Sequence, residues 1–401
     1  MMLAFAALAE SPTAPDFGTM TSSNIVSHDA TAGQKISEQN FQVQLDLATQ
    51  QRHDKSPALA MQTLISILET NAPTEFRRKA LFELALAAQD NSDYVRAQQI
   101  FSQYLQLYSE DASAPEVLLR QGLLYRDMGV NTLAISKFYS VMSTALKLKL
   151  DNIDYYKTLV LQAQTEIAET YYLQGDFADA SDFFARIIKA DSPSLNKELI
   201  EYKLIRSLGY MTNHAETIAR AQFFLDTHPA SQDLPEVRFI LASAYKGVGR
   251  NEDAMKQVLL LLQSEQENVR KNPDVWAYWQ RRAGNEIANQ LYKDADYLDA
   301  LQIYQSLANL DPSAAWQAPV RYQIGLIYEQ LQQWDKATNS YGLILARQAE
   351  MTQSNSPPSL GSICDMAQWR TQYIGWMEKA RNTNQELQRS PLLKAPATAL
   401  R

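Results

Sequence analysis

A chain of 401 residues can build two or three globular domains or one long repeat array. Its formal charge of −8, with 20% charged residues, provides no concentrated basic face of the kind that nucleic-acid binding needs. A single cysteine, Cys364, excludes an intramolecular disulfide and any cysteine-built zinc site, and the four histidines form no pair at metal-ligand spacing. Thirteen glycines and fifteen prolines are few for this length and favour helix.

Met1–Ala9 is apolar and ends in Ala7-Leu8-Ala9, the small-x-small pattern that signal peptidase reads, before a polar Glu10-Ser11-Pro12. Export from the cytoplasm is the expectation, with a cytosolic start as the alternative. No cysteine stands directly after that pattern, so a lipid anchor at that point is unsupported. Residues 10 to 35 are rich in Ser, Thr, Ala, Pro and Asp without periodicity, and 1–35 is expected to be a signal remnant plus linker.

From there a two-helix unit recurs. Pro235–Leu262 shows it best: a first helix with Phe239, Leu241, Ala242 and Tyr245, a Gly249-Arg250-Asn251 turn, and a second helix with Ala254 and Val258 on one face. The anchor is a small residue early in the second helix, followed four later by a large one. The pairs are Ala60/Leu64, Ala97/Phe101, Ala134/Phe138, Ala180/Phe184, Ala254/Val258, Ala300/Tyr304 and Ala337/Tyr341. Anchor spacing runs 37, 37, 46, 74, 46 and 37; the 74 splits into two steps of 37 and predicts a degenerate anchor at Thr217. Ala60, Ala180 and Ala300 are 120 apart, as expected of a duplicated three-unit block. The two longer steps insert residues at Lys147–Thr158 and Glu265–Trp276, where elongated helices are expected.

Gly325, Tyr328, Trp334, Ala337 and Tyr341, and Ala168, Tyr171, Gly175, Phe177, Ala180 and Phe184, resemble the tetratricopeptide (TPR) pattern, over about residues 41–351. The resemblance implies an all-α fold: an α-α superhelix, or TPR solenoid, of about eight helix-turn-helix repeats over 36–351. A loop at 352–364, a capping helix at 365–387 and a polar tail at 388–401 complete the expected layout. In the cap, Trp369, Tyr373, Trp376 and Met377 share a face.

Little points to enzymatic chemistry. Gly247-Val248-Gly249 lies on a helix–helix turn, where glycine caps a helix, and the phosphate-loop, GxSxG and HExxH patterns are absent. Asp294/Asp296 and Glu166/Glu169 read as solvated helix faces, and Cys364 beside Asp365 lacks a basic neighbour to activate it. No enzyme, cofactor, metal, small-molecule substrate or membrane span is expected.

In the TPR family, groove-facing positions of the first helices bind partners. Carried over, they are Glu116, Arg126, Glu169, Tyr172, Tyr202, Arg206, Phe239, Lys246, Arg282, Asn285, Asn289, Tyr292, Tyr322 and Glu329. Rings beside Asn, Arg and Glu suit a protein or peptide partner. The carboxylate clamp of chaperone-binding members is absent: Phe82, Leu86, Leu119, Leu123, Thr165 and Glu169 occupy its places. The Phe223-Phe224-Leu225-Asp226-Thr227-His228-Pro229 connector and the following Pro235-Glu236-Val237 are similar to those of bacterial cell-envelope TPR proteins, of the BamD or cell-division-coordinator type. A periplasmic interaction scaffold is the resulting expectation, with a cytosolic TPR module as the alternative.

Overall fold

The computed structural model describes residues 30–147, 153–263, 271–351 and 357–389, with side chains from Glu38 onward. The expected leader Met1–Ala9, most of the linker and the tail from 390 lie outside the described residues. The chain divides at Val117/Leu118 into two compact units. The first holds α1 (Ala30–His53), α2 (Pro57–Leu68), α3 (Thr74–Asp90), α4 (Tyr94–Leu107) and the start of α5 (Ala114–Asp127). The second continues through α6 (Asn131–Lys147), α7 (Ile153–Gln174), α8 (Phe177–Ile187), α9 (Lys197–Tyr210), α10 (His214–Thr227), α11 (Leu234–Gly247) and α12 (Asn251–Leu262). It then runs through α13 (Pro273–Lys293), α14 (Tyr297–Ala308), α15 (Ala314–Gln330), α16 (Trp334–Leu345), α17 (Gln348–Met351) and α18 (Pro358–Arg389).

The fold is all-α, and helices pack on their neighbours in sequence, α1 to α4 in the first unit and α6 to α16 in the second. Eight helix-turn-helix pairs run from α1–α2 to α15–α16 among the described residues. The second helices open at residues 57, 94, 131, 177, 214, 251, 297 and 334, so each anchor, Thr217 included, is the fourth residue of its helix. The 120-residue offset holds for these openings and for α5/α11 and α7/α13, which open at 114/234 and 153/273. It slips at α9, which opens at 197 where α3, opening at 74, predicts 194. A small side chain at the fourth position lets the second helix approach its neighbours closely. All eight anchors are at most 1% exposed, as are the large residues four later. At the degenerate unit Thr217 fits by turning its hydroxyl back onto the carbonyl of Asn213, at 2.8 Å, and Ala221 takes the large residue's place.

Each turn is a Schellman motif. In the α11–α12 turn, Gly249 N–H donates to Lys246 O and Arg250 N–H to Tyr245 O, and the same pair of bonds closes all eight hairpins. The motif places one residue in the left-handed region: Lys55, Ser92, Gly129, Gly175, Thr212, Gly249, Ala295 and Gln332. Only three are glycine, which explains why the turns are unevenly visible in the sequence.

Hydrophobic clusters share elements in series through the second unit. One joins α7, α8 and α9, the next α9 to α13, the next α11 to α15, and the last α15 to α18. The longer repeat steps place their extra residues in α7 and α13, which have 22 and 21 residues against 14 for α9 and α11. The adjoining residues 148–152 and 264–270 are outside the described set.

Five expectations change. α1 already begins at Ala30, inside the span read as linker. α18 opens at Pro358, inside the span read as loop, because proline's fixed φ suits a first helical turn as well as a loop. It also runs to Arg389, past the expected end. Its seated face is Leu360, Cys364, Ala367 and Ile374, not the aromatic stripe: small side chains let α18 lie close on α15 and α16, while Trp369, Tyr373 and Trp376 turn to solvent. Lastly, the carboxylate pairs are not solvated faces. Glu166 pairs with Arg126, Glu169 with Lys203 and Asp294 with Lys246, while Asp296 accepts from Asn251 at 3.1 Å.

Candidate functional site: an aromatic cleft on the first helices

Ion pairs between successive first helices use several of the expected groove residues. Arg126 on α5 pairs with Glu166 on α7, Glu169 on α7 with Lys203 on α9, and Lys246 at the end of α11 with Asp294 at the end of α13. Glu329 on α15 accepts Arg370 Nη1 of α18 at 2.9 Å and the Tyr341 hydroxyl at 2.5 Å. These bonds, partly buried except at Asp294, join neighbouring repeats, and loss of a buried one would leave a carboxylate unmatched.

Other predicted residues are tied more locally. Asn285 donates to the Arg281 carbonyl, and Asn289 Oδ1 accepts the Tyr304 hydroxyl at 2.7 Å. Tyr292 packs edge-on against Tyr297, and Tyr322 lies 5.7 Å from the Tyr341 ring. Glu116 sits in the first turn of α5.

The remaining five come together. Tyr172, on α7, and Tyr202 and Arg206, on α9, meet α11 at Glu236. The Tyr202 hydroxyl donates to Glu236 Oε2 at 2.5 Å, and Arg206 Nε lies 3.0 Å from Oε1. Glu236 is in the first turn of α11, where the helix dipole favours negative charge. The Arg206 guanidinium also lies 5.7, 5.6 and 5.9 Å from the rings of Tyr172, Tyr202 and Tyr210. Burial pushes the Tyr172 phenol up to about 12. The Tyr202 phenol is also raised, by burial first and then by its bond to Glu236. Both rings are therefore neutral hydrogen-bonding groups at ordinary pH.

Beyond Glu236 a cleft of about 460 Å³ opens between α9, α11 and α13. Phe239 and Trp279 form one wall, their rings 5.4 Å apart. The Arg282 guanidinium lies 5.3 Å from the Phe239 ring and 5.1 Å from Trp279, while Nη1 donates to the Tyr278 hydroxyl at 2.9 Å. Its carboxylate contact, Glu286, is a loose 3.9 Å away, so a half-exposed cation beside two rings borders the cleft. Gly209 and Ala244 keep the space open. Sequence analysis did not find Tyr210, His214, Glu236, Tyr278 or Trp279. Tyr210 was discoverable as the residue one turn after Arg206, and Tyr278-Trp279 as the aromatic pair just past the second insertion.

Cys364 is buried, and burial followed by the Asp365 charge raises its thiol pKa, so it is a packing residue. Among the described residues, no group of His, Cys, Asp or Glu has the makings of a metal site, and no helix is long and apolar enough to cross a membrane.

No protein-family model and no curated protein matches the chain. Solved structures do. The C-terminal part of a TPR repeat-containing protein from Cytophaga hutchinsonii is 15% identical with a TM-score of 0.49, covering 67% of this chain and 96% of that one. A tetratricopeptide repeat protein from Parabacteroides merdae is 12% identical with a TM-score of 0.40, over 82% and 99% of the two chains. The MamA protein is 19% identical with a TM-score of 0.37, over 49% and 93%.

Proposed function

We propose that the chain is a non-catalytic interaction scaffold that holds a peptide segment of a partner protein against its first helices. The observation that carries this reading is the convergence of Arg206, Glu236, Phe239, Trp279 and Arg282 on one open cleft. Its rings offer contact area at low entropic cost, and its two arginines and Glu236 offer fixed hydrogen-bonding groups along an extended backbone. An apolar side chain of the partner enters between α11 and α13, with an acidic neighbour against Arg282.

The test is selection from a displayed random-peptide library on the full chain, followed by affinity measurement of the selected peptides. Trp279→Ala and Arg282→Ala each weaken the selected peptides at least tenfold while far-UV circular dichroism is unchanged. Peptides that bind both variants as well as the native chain would exclude this cleft. The apolar Met1–Ala9 and the envelope-like connector support placing the scaffold in a bacterial periplasm. Osmotic-shock fractionation of the expressed full chain tests that placement, and recovery in the spheroplast fraction alone would reverse it.

A further inference from the structure

The C-terminal helix α18 carries two apolar seams, and the fold covers only one. Leu360, Cys364, Ala367, Thr371 and Ile374 follow steps of four, three, four and three; the four apolar members of this row are seated in the core against α15 and α16. Met366, Trp369, Tyr373, Trp376, Ala380, Thr383 and Leu387 follow steps of three and four on the opposite side. That second row is exposed: Trp369 is 55% exposed, Trp376 66% and Leu387 55%. The rings of Trp369, Tyr373 and Trp376 stack on one another in a column, at 5.3 and 6.4 Å. Every residue from Glu378 to Arg389 is exposed, so the last three turns of α18 extend beyond the body. A helix of that length gains little stability by itself in water.

A 3-4 spacing of this kind selects a helix as the covering element, because the apolar row then stays on one face along the partner. The flanking charges select which helix and which direction. On one margin of the seam lie Asp365, Gln372, Lys379 and Glu386, seven apart. Among the described residues neither Asp365 nor Lys379 has an ion pair. If α18 of a second copy lies antiparallel with Trp369 opposite Tyr373, Met366 meets Trp376 and each Asp365 faces the Lys379 of the other copy, twice by symmetry. A parallel pairing instead sets Asp365 against Arg370, already bound to Glu329, and gives Lys379 no acid.

We infer that α18 is a homodimerisation helix, pairing two copies of this chain antiparallel through the Met366–Trp376 part of this seam. The three rings supply roughly 300 Å² per copy towards the roughly 800 Å² of an ordinary interface, and the rest comes from Met366 and the flanks of the two helices over the roughly 40 Å along which they overlap. The resulting dimer is reversible. Its formation does not depend on the peptide cleft.

Sedimentation velocity of the full chain over a dilution series reads the outcome directly. The native chain shows a concentration-dependent monomer–dimer equilibrium. Trp376→Glu raises the dimer dissociation constant at least tenfold with helicity unchanged. Asp365→Lys also weakens the dimer, and the double variant Asp365→Lys/Lys379→Asp restores it. A chain that stays monomeric at every concentration overturns the inference, as does a dimer indifferent to Trp376→Glu or a double variant that fails to recover. Flotation with anionic phospholipid vesicles serves as a control. Vesicle binding lost in Trp376→Glu, with no dimer in solution, would assign the seam to a lipid surface and overturn it too.

Discussion

The eight Schellman turns give a prediction with opposite signs at equivalent places. Ala295 and Gly249 hold the same position in the α13–α14 and α11–α12 turns, at φ +66° and +76°. Both make the same backbone bonds. A Cβ in the left-handed region costs roughly 1–2 kcal/mol, whereas glycine loses roughly 0.5–1 kcal/mol more chain entropy on folding. Ala295→Gly therefore stabilises the fold by about 0.5–1 kcal/mol, and Gly249→Ala destabilises it by about the same. Sterics do not confuse the comparison, because a Cβ on Gly249 meets nothing within 4 Å. Repeat arrays unfold with imperfect cooperativity, so urea unfolding followed by circular dichroism is paired with amide exchange at each turn. Protection rises around Ala295→Gly and falls around Gly249→Ala. Shifts of the same sign in the two variants would refute the assignment of turn strain to φ.

Gly325→Ala places a methyl 2.4 Å from the Tyr341 ring, so a helix-propensity gain of about 1 kcal/mol is outweighed by overpacking and the melting temperature falls. Tyr202→Phe leaves Glu236 with only Arg206 and costs about 1.5 kcal/mol in urea unfolding. At Asp111, burial would raise the carboxyl pKa, but bonds from the Ser113 N–H and the Tyr104 hydroxyl, with the Arg78 charge, hold it below the ordinary aspartate range. A depressed carboxyl stabilises the fold above its unfolded pKa of about 3.9 and loses that contribution as pH falls through the lowered value. Asp111→Asn accordingly shows a smaller loss of melting temperature than the native chain between neutral pH and about pH 3.

The repeat register was legible because it repeats. Close helix crossing admits only small anchors and fills the next turn with a large residue, so Ala60, Ala97 and their successors set the positions of all eight second helices, even at Thr217. The left-handed turn residues at Lys55, Ser92, Thr212, Ala295 and Gln332 carry no such mark, because the Schellman bonds are made by backbone and tolerate the strain. Likewise, spacing places Arg126, Glu169, Lys246, Arg206 and Arg282 in equivalent rows, but it does not say which cation finds a carboxylate on the next helix. That depends on how far one helix is displaced along its neighbour, a quantity set by side-chain packing between repeats. The tertiary structure alone therefore separated Arg126, which ties two repeats together, from Arg282 beside the cleft, and gave Arg206 both places. It also decided which of α18's two seams faces the core: a 3-4 period marks a seam that can be buried, and the side chains already present on α15 and α16 determine which one is.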